Sequence, residues 1–221
     1  QQSPGHGREK HPRLNPNFER EELMKFRVGS AFHSELLGKG APIAEFAHQK
    51  WQSNAAKADR DNALLNGYIP LTKDQAAKTR RMVQRAHQQI KGRDELAYAM
   101  SGGIPERVYI WREETKWGPI YCRMMVDWTP HAGRYWVDWK TTGVGALHDW
   151  GSKTMWDTGC DFQDAFYRRG FKAHGMDFDA CIFAVIEDKE PHGLMTHRVD
   201  FEAQEEADQE VQWAINSFAM C

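Results

Sequence analysis

Two short stretches decide how this chain reads: Val126-Asp127-Trp128 and, eleven residues on, Val137-Asp138-Trp139-Lys140. Each carboxylate closes a run rich in Val, Ile, Tyr and Trp and bounded by Gly or Pro, which is the pattern of a strand. Neighbouring strands lie about 4.8 Å apart, so carboxylates at the ends of successive strands can meet around one cation. Asp138 and Lys140 stand at i and i+2, so both side chains point to the same face. Acids and a lysine inside an apolar element are costly unless they pair or bind metal. A D-x-K tripeptide alone is common and reads as a surface ion pair. The surrounding residues have to decide.

Working outward, Glu106 to Glu114, Ile120 to Trp128 and Arg134 to Thr141 read as three strands in meander order. Residues 160–173 follow as a helix, Ala180–Glu187 as a buried strand, Leu194–Phe201 as a further strand, and Glu202 to Phe218 as a closing amphipathic helix. Upstream, Phe18 to about Lys91 reads as helical. Its apolar positions recur at helical spacing in Ala44, Ala47, His48 and Trp51, and again in Ala76, Ala77, Met82, Val83, Ala86 and Ile90. Gly38, Gly40, Gly67 and Pro70 punctuate these helices. Residues 1–17, with three Pro and two Gly, read as a flexible arm or linker. The expectation is one α/β domain over 18–221. A helical part covers 18–101, and a mixed central sheet with flanking helices covers 102–221.

The chain has 221 residues, of which 41% are hydrophobic and 12% aromatic, enough to bury a core. Its longest apolar run is Ala180 to Ile186, and a membrane-spanning helix needs about 20 residues, so no membrane association is expected. The four Cys form no C-x-x-C pair, which points to reduced thiols in a cytoplasmic protein. The first 22 residues lack the apolar core of a secretion signal. Net charge is −2, so nothing global favours nucleic acid. The charge is uneven, however. Lys73 to Arg93 holds seven Lys or Arg against one acid, and Asp200 to Glu210 holds six acids and no Lys or Arg. Arg80, Arg81 and Arg85 on the basic stretch are candidate DNA phosphate contacts, although the stretch reads equally as a solvated helix face. Gly151-Ser152-Lys153-Thr154 lacks the Gly-Lys adjacency of a phosphate-binding loop, so ATP binding is discarded. No H-E-x-x-H occurs among the ten His, which argues against a zinc protease.

Three further stretches join the two carboxylates. Gln163 and Tyr167 lie one turn apart on the helix after the D-x-K strand. His33 ends Gly29-Ser30-Ala31-Phe32-His33, and Glu106 precedes Tyr109-Ile110-Trp111. Taken in order, His33, Asp127, Asp138-x-Lys140 and Gln163-x-x-x-Tyr167 resemble the PD-(D/E)xK nuclease superfamily, in its branch of RecE-type exonucleases. Gly29-Ser30-Ala31-Phe32-His33, Asp138-Trp139-Lys140-Thr141-Thr142 and Gln163-Asp164-Ala165-Phe166-Tyr167 carry the likeness, which runs from about residue 25 to 201. Two places depart from it. Met125-Val126-Asp127 stands where relatives often have Arg-Pro-Asp, and Cys160-Asp161-Phe162 where a Tyr-His pair is common.

The resemblance implies a restriction-endonuclease-like core and a bacterial or phage exonuclease that degrades linear duplex DNA from a free end, 5′ to 3′, in recombination. It implies a ring-shaped homo-oligomer and a single-strand annealing partner. It also implies one or two Mg²⁺ or Mn²⁺ ions. Asp127, Asp138 and the Trp139 carbonyl would hold the first, and His33 would bind or border a second. Lys140 would stand beside the attacking water, Gln163 and Tyr167 would hold a phosphate or terminal base, and Glu106 would orient water or face solvent. Arg168 and Arg169, which follow Tyr167, are candidate phosphate contacts.

Overall fold

The structure is a computed structural model that describes residues 24–143, 145 and 150–220. The expected arm at 1–17 lies outside the described residues. The elements run α1 (Met24–Leu37), β1 (Ile43–Phe46), α2 (Asn54–Leu65), β2 (Ile69–Thr72), α3 (Lys73–Ile90), α4 (Asp94–Met100), β3 (Gly103–Thr115), β4 (Gly118–Pro130) and β5 (Tyr135–Thr142). A π-helical turn (Trp150–Thr154) and a short α-turn (Met155–Asp157) lead to α5 (Cys160–Ala173), β6 (Ala180–Glu187), β7 (Leu194–His197) and α6 (Phe201–Ala219).

The main sheet has five strands in the order β3-β4-β5-β6-β7. β5 and β6 are parallel and the other pairs antiparallel, so the sheet is mixed, as expected. Two apolar cores cover its faces. On one face Phe32 and Leu36 of α1, Met82 and Ala86 of α3 and Leu96 of α4 pack on Val137, Trp139, Ile182 and Ile186. On the other, Phe171 of α5 packs on Tyr109, Trp111, Met124, Trp136, Phe183 and Val185. α6 forms an outer layer, with Ala207, Val211 and Ile215 against Ala165 of α5. β6 is buried on both faces, which explains its unbroken apolar sequence.

Two expectations need correcting. The 18–101 region is not purely helical, because β1 and β2 form a separate two-stranded parallel pair. All four residues of Ile69-Pro70-Leu71-Thr72 are buried, and Ile69 and Leu71 pack with Ala31 and Ala76. The helical spacing at Ala44 and Ala47 was coincidental, since Ala44 lies in β1 paired with Pro70. Pro70 fits such a short pair because its missing donor leaves no gap in a wider ladder. The strand expected at Leu194–Phe201 stops at His197. Asp200 accepts from the Ala203 N–H at 2.9 Å and so caps α6, which turns Phe201 into the first residue of a helix.

Local signals fix α3 firmly. Thr72 accepts from the Gln75 N–H at 3.3 Å, and Gln75 Oε1 accepts from the Thr72 N–H at 2.9 Å, a reciprocal capping box.

Candidate active site

The β4–β5 ladder is brief: Trp128 pairs with Val137, and the strands part beyond that point. Asp127 precedes Trp128 and Asp138 follows Val137, so the two acids stand opposite one another beside this bridge. Each faces a different layer. Asp127 lies toward α1, where Oδ2 is 3.4 Å from His33 Nδ1 and accepts the Trp139 N–H at 2.8 Å. Asp138 lies toward α5, where Oδ1 accepts from Gln163 Nε2 at 2.5 Å. Lys140 Nζ is 2.5 Å from Asp138 Oδ2 and donates to Gln163 Oε1 at 3.1 Å. The three side chains close a ring on one face of the strand end, as the i, i+2 spacing requires. The close Lys140 ammonium is the charge partner of Asp138 Oδ2.

The electrostatics follow from burial. Desolvation, then the neighbouring charge of Asp138, hold Asp127 far above the ordinary carboxylate range. Burial lowers His33, against the pull of Asp138. Lys140 is raised despite burial, because Asp138 supports its charge. Burial and both aspartates push Tyr167 up to about 12, so it is a neutral donor; its hydroxyl donates to the Met125 carbonyl at 2.9 Å. Tyr167 therefore braces β4 beside Asp127.

A cleft of about 840 Å³ opens over Asp127, Trp139 and Lys140. His33, Ser30 and Arg27 of α1 form one wall at helical spacing, and Leu64, Tyr68 and Pro70 around β2 form another. Glu106 also lines it, with a left-handed φ of 46° that is costly for a non-glycine residue. Lys39 holds the strand beside it by donating to the Pro105 carbonyl at 3.1 Å. The β2 wall was not foreseen, because a helical reading of that segment hides it. Arg27 was missed too, although Arg27, Ser30 and His33 recur every three residues along one face of α1.

The structure thus brings together His33, Glu106, Asp127, Asp138, Trp139, Lys140, Gln163 and Tyr167. It does not bring the candidate arginines there. Arg168 pairs with buried Asp164 at 2.9 Å and with Asp208 at 3.0 Å. Arg169 pairs with Glu113 at 2.6 Å and donates to Gln212 at 2.8 Å. Both tie α5 to its neighbours rather than facing the cleft. Arg80 and Arg81 are exposed and paired with Glu45 and Glu190, and Arg85 donates to Gln88.

Among the described residues no three His, Cys, Asp or Glu side chains converge as a ready-made metal cage. The donor set nonetheless fits a hard divalent cation. The half-buried Asp127 and the buried Asp138 repel one another, and Lys140 at 2.5 Å from Asp138 Oδ2 balances only one of the two charges. Oxygen ligands of this kind suit Mg²⁺ or Mn²⁺.

A mixed sheet between helical layers, with Asp127, Asp138 and Lys140 where its ladder opens, defines a PDDEXK-like nuclease domain. The chain belongs to the family described as a PDDEXK-like domain of unknown function (DUF3799), whose model matches residues 8–221. A crystal structure of a provisionally named exonuclease from Eubacterium rectale aligns with a TM-score of 0.64 at 16% identity. The alignment covers 96% of this chain and 71% of that one, and at such identity it shows a shared fold alone. A second structure, SSO0001, aligns at 10% identity with a TM-score of 0.35, over 86% of this chain and 85% of that one, and carries no argument. No curated protein matches. No helix among the described residues is long and apolar enough to cross a membrane.

Proposed function

We propose that this protein is a divalent-metal-dependent exonuclease that hydrolyses the phosphodiester bonds of linear double-stranded DNA. One observation carries the reading: Asp127 and Lys140 line one cleft, and behind that wall Lys140 and Gln163 close on the buried Asp138. A scaffold that had lost catalysis would have no reason to bury an acid pair and a lysine at such cost.

Asp127, Asp138 and the Trp139 carbonyl would hold the cation, with His33 bordering it. The cation supplies Lewis acidity and charge neutralisation at the phosphate. Lys140 stabilises charge developing at phosphorus and orients the attacking water. Gln163 holds Lys140 and Asp138 in register. Tyr167, neutral across the working range, braces the strand that carries Asp127. The 5′-to-3′ direction, the ring-shaped oligomer, the annealing partner and a role in recombination rest on the resemblance to RecE-type exonucleases.

The test is degradation of duplex DNA carrying one labelled 5′ end, with Mg²⁺, with Mn²⁺ and with EDTA, beside a covalently closed circle. Metal-dependent loss of the linear substrate, with the circle intact, is expected. Early release of the 5′ label as mononucleotide sets the polarity. Cleavage of the circle would convert the reading to an endonuclease, and DNA binding without cleavage under either metal would make the domain a binding module.

A further inference from the structure

A strip of the main sheet runs from the cleft wall at Met125 out along the β3–β4 hairpin. On β4, Cys122, Met124 and Val126 are buried while Tyr121, Arg123 and Met125 are exposed. On β3, Val108, Ile110 and Arg112 are exposed between buried Tyr109 and Trp111. The register sets Val108 opposite Met125, Ile110 opposite Arg123 and Arg112 opposite Tyr121. Tyr121 is 75% exposed and Ile110 57%, on the part of the hairpin that extends past the pairing of β4 with β5. At the hairpin tip, Lys116 Nζ lies 4.1 Å from the centroid of the exposed Trp117 ring.

The strip is continuous with the cleft. Met125 and Asp127 both line that cleft, and Arg123 and Tyr121 follow at two-residue steps along the same strand. From Asp127 to Tyr121 the strand covers about 20 Å at about 3.4 Å per residue. That length matches roughly six stacked bases at about 3.4 Å each. Three cations, Arg112, Lys116 and Arg123, stand against one acid, Glu114, which already pairs with Arg112 at 2.7 Å. Flat aromatic and aliphatic surface alternating with positive charge is what a single strand needs, because every base has a stackable face and every nucleotide a phosphate.

We propose that the outer face of the β3–β4 hairpin is a single-stranded DNA track leading to the carboxylates, an inference that rests on the nuclease reading for what the cleft does. Tyr121 and Trp117 stack on bases, Ile110, Val108 and Met125 pack beneath them, and Arg123 meets the backbone. The hairpin thereby holds the unpaired nucleotides beside the scissile phosphate. A second copy of the chain is the competing occupant. The row of cations next to a phosphodiester site favours nucleic acid.

The experiment measures binding of a fluorescein-labelled oligothymidine of about 20 nucleotides by anisotropy, in EDTA, so that no cleavage occurs. Tyr121→Ser and Arg123→Ala should each weaken binding about tenfold. Arg123→Ala should also lower the salt slope by about one charge. Trp213→Ala, 68% exposed on α6, serves as the control and leaves affinity unchanged. Wild-type affinity in the Tyr121 and Arg123 variants, with unchanged thermal unfolding, overturns the track. So does a change of sedimentation from oligomer to monomer in those variants, which would make the face an interface between copies. Because binding is read without metal, the two readings fail separately. A wild-type protein that binds oligothymidine through these residues but never cleaves DNA sinks the nuclease reading alone.

Discussion

At the scale of single residues, the site is a cluster of charges set by burial and by close neighbours. Asp127 is pushed up to about 8, chiefly by burial and then by Asp138. Its folded pKa exceeds the unfolded value near 3.8. Stability from this group is therefore full below that unfolded value and is lost as pH rises toward 8. His33, lowered by burial, acts with the opposite sign and only below about its ordinary 6.5. Between about pH 6.5 and 8 the metal-free protein should therefore lose thermal stability, and Asp127→Asn should flatten that slope in a pH series of melting curves. Lys140→Ala and Asp138→Ala should each lower DNA hydrolysis at least about a hundredfold with near-normal circular dichroism. Near-normal turnover in either purified variant would sink the site assignment.

At the scale of elements, the approach of helices to the sheet sets the geometry. Gly170 of α5 lies so close to β3 and β4 that a Cβ there would meet Trp111 at 2.8 Å and Met124 at 2.9 Å. The Met side chain can swing, but the buried indole cannot. Gly170→Ala should cost about 1–3 kcal/mol, read as a shifted urea midpoint. Because α5 also carries Gln163 and Tyr167, this variant should lose more activity than stability alone explains. Gly29 plays the same part on the other face, since a Cβ there would meet Thr141 Oγ1 at 3.0 Å. It lets α1 bring His33 up to Asp127. Thr72→Ala removes the acceptor that caps α3 and should cost about 1 kcal/mol in the same assay.

At the scale of the whole molecule, the cleft is assembled from segments far apart in the chain: α1, the β2 region, the β4–β5 opening and α5. A cation binding there links all of them. Adding Mg²⁺ or Mn²⁺ at about 100 times its dissociation constant should stabilise the fold by about 2.7 kcal/mol, visible as a raised melting temperature. The Asp127→Asn, Asp138→Asn double variant should show no such rise. An equal rise in that variant would place the ion elsewhere.

The proposed site residues came from the sequence through the resemblance, and their proximity in the structure follows from backbone geometry. Asp138 and Lys140 share a face because strands have a period of two, and Gln163 and Tyr167 align because a helical turn is about 3.6 residues. β6 was legible for the same kind of reason, an apolar run with no polar face. The β1–β2 pair was not, because four-residue strands are too short to show a period and their pairing is set by contacts with Ala31 and Ala76, distant in the chain. The fates of Arg168 and Arg169 were also beyond reach. Asp164 lies one turn before Arg168 on the same helix, a partner the spacing offers, but only tertiary packing supplies Asp208 and Glu113. Local order along the chain determined which residues could do chemistry, and packing between distant segments decided which of them face the cleft and which hold the walls together.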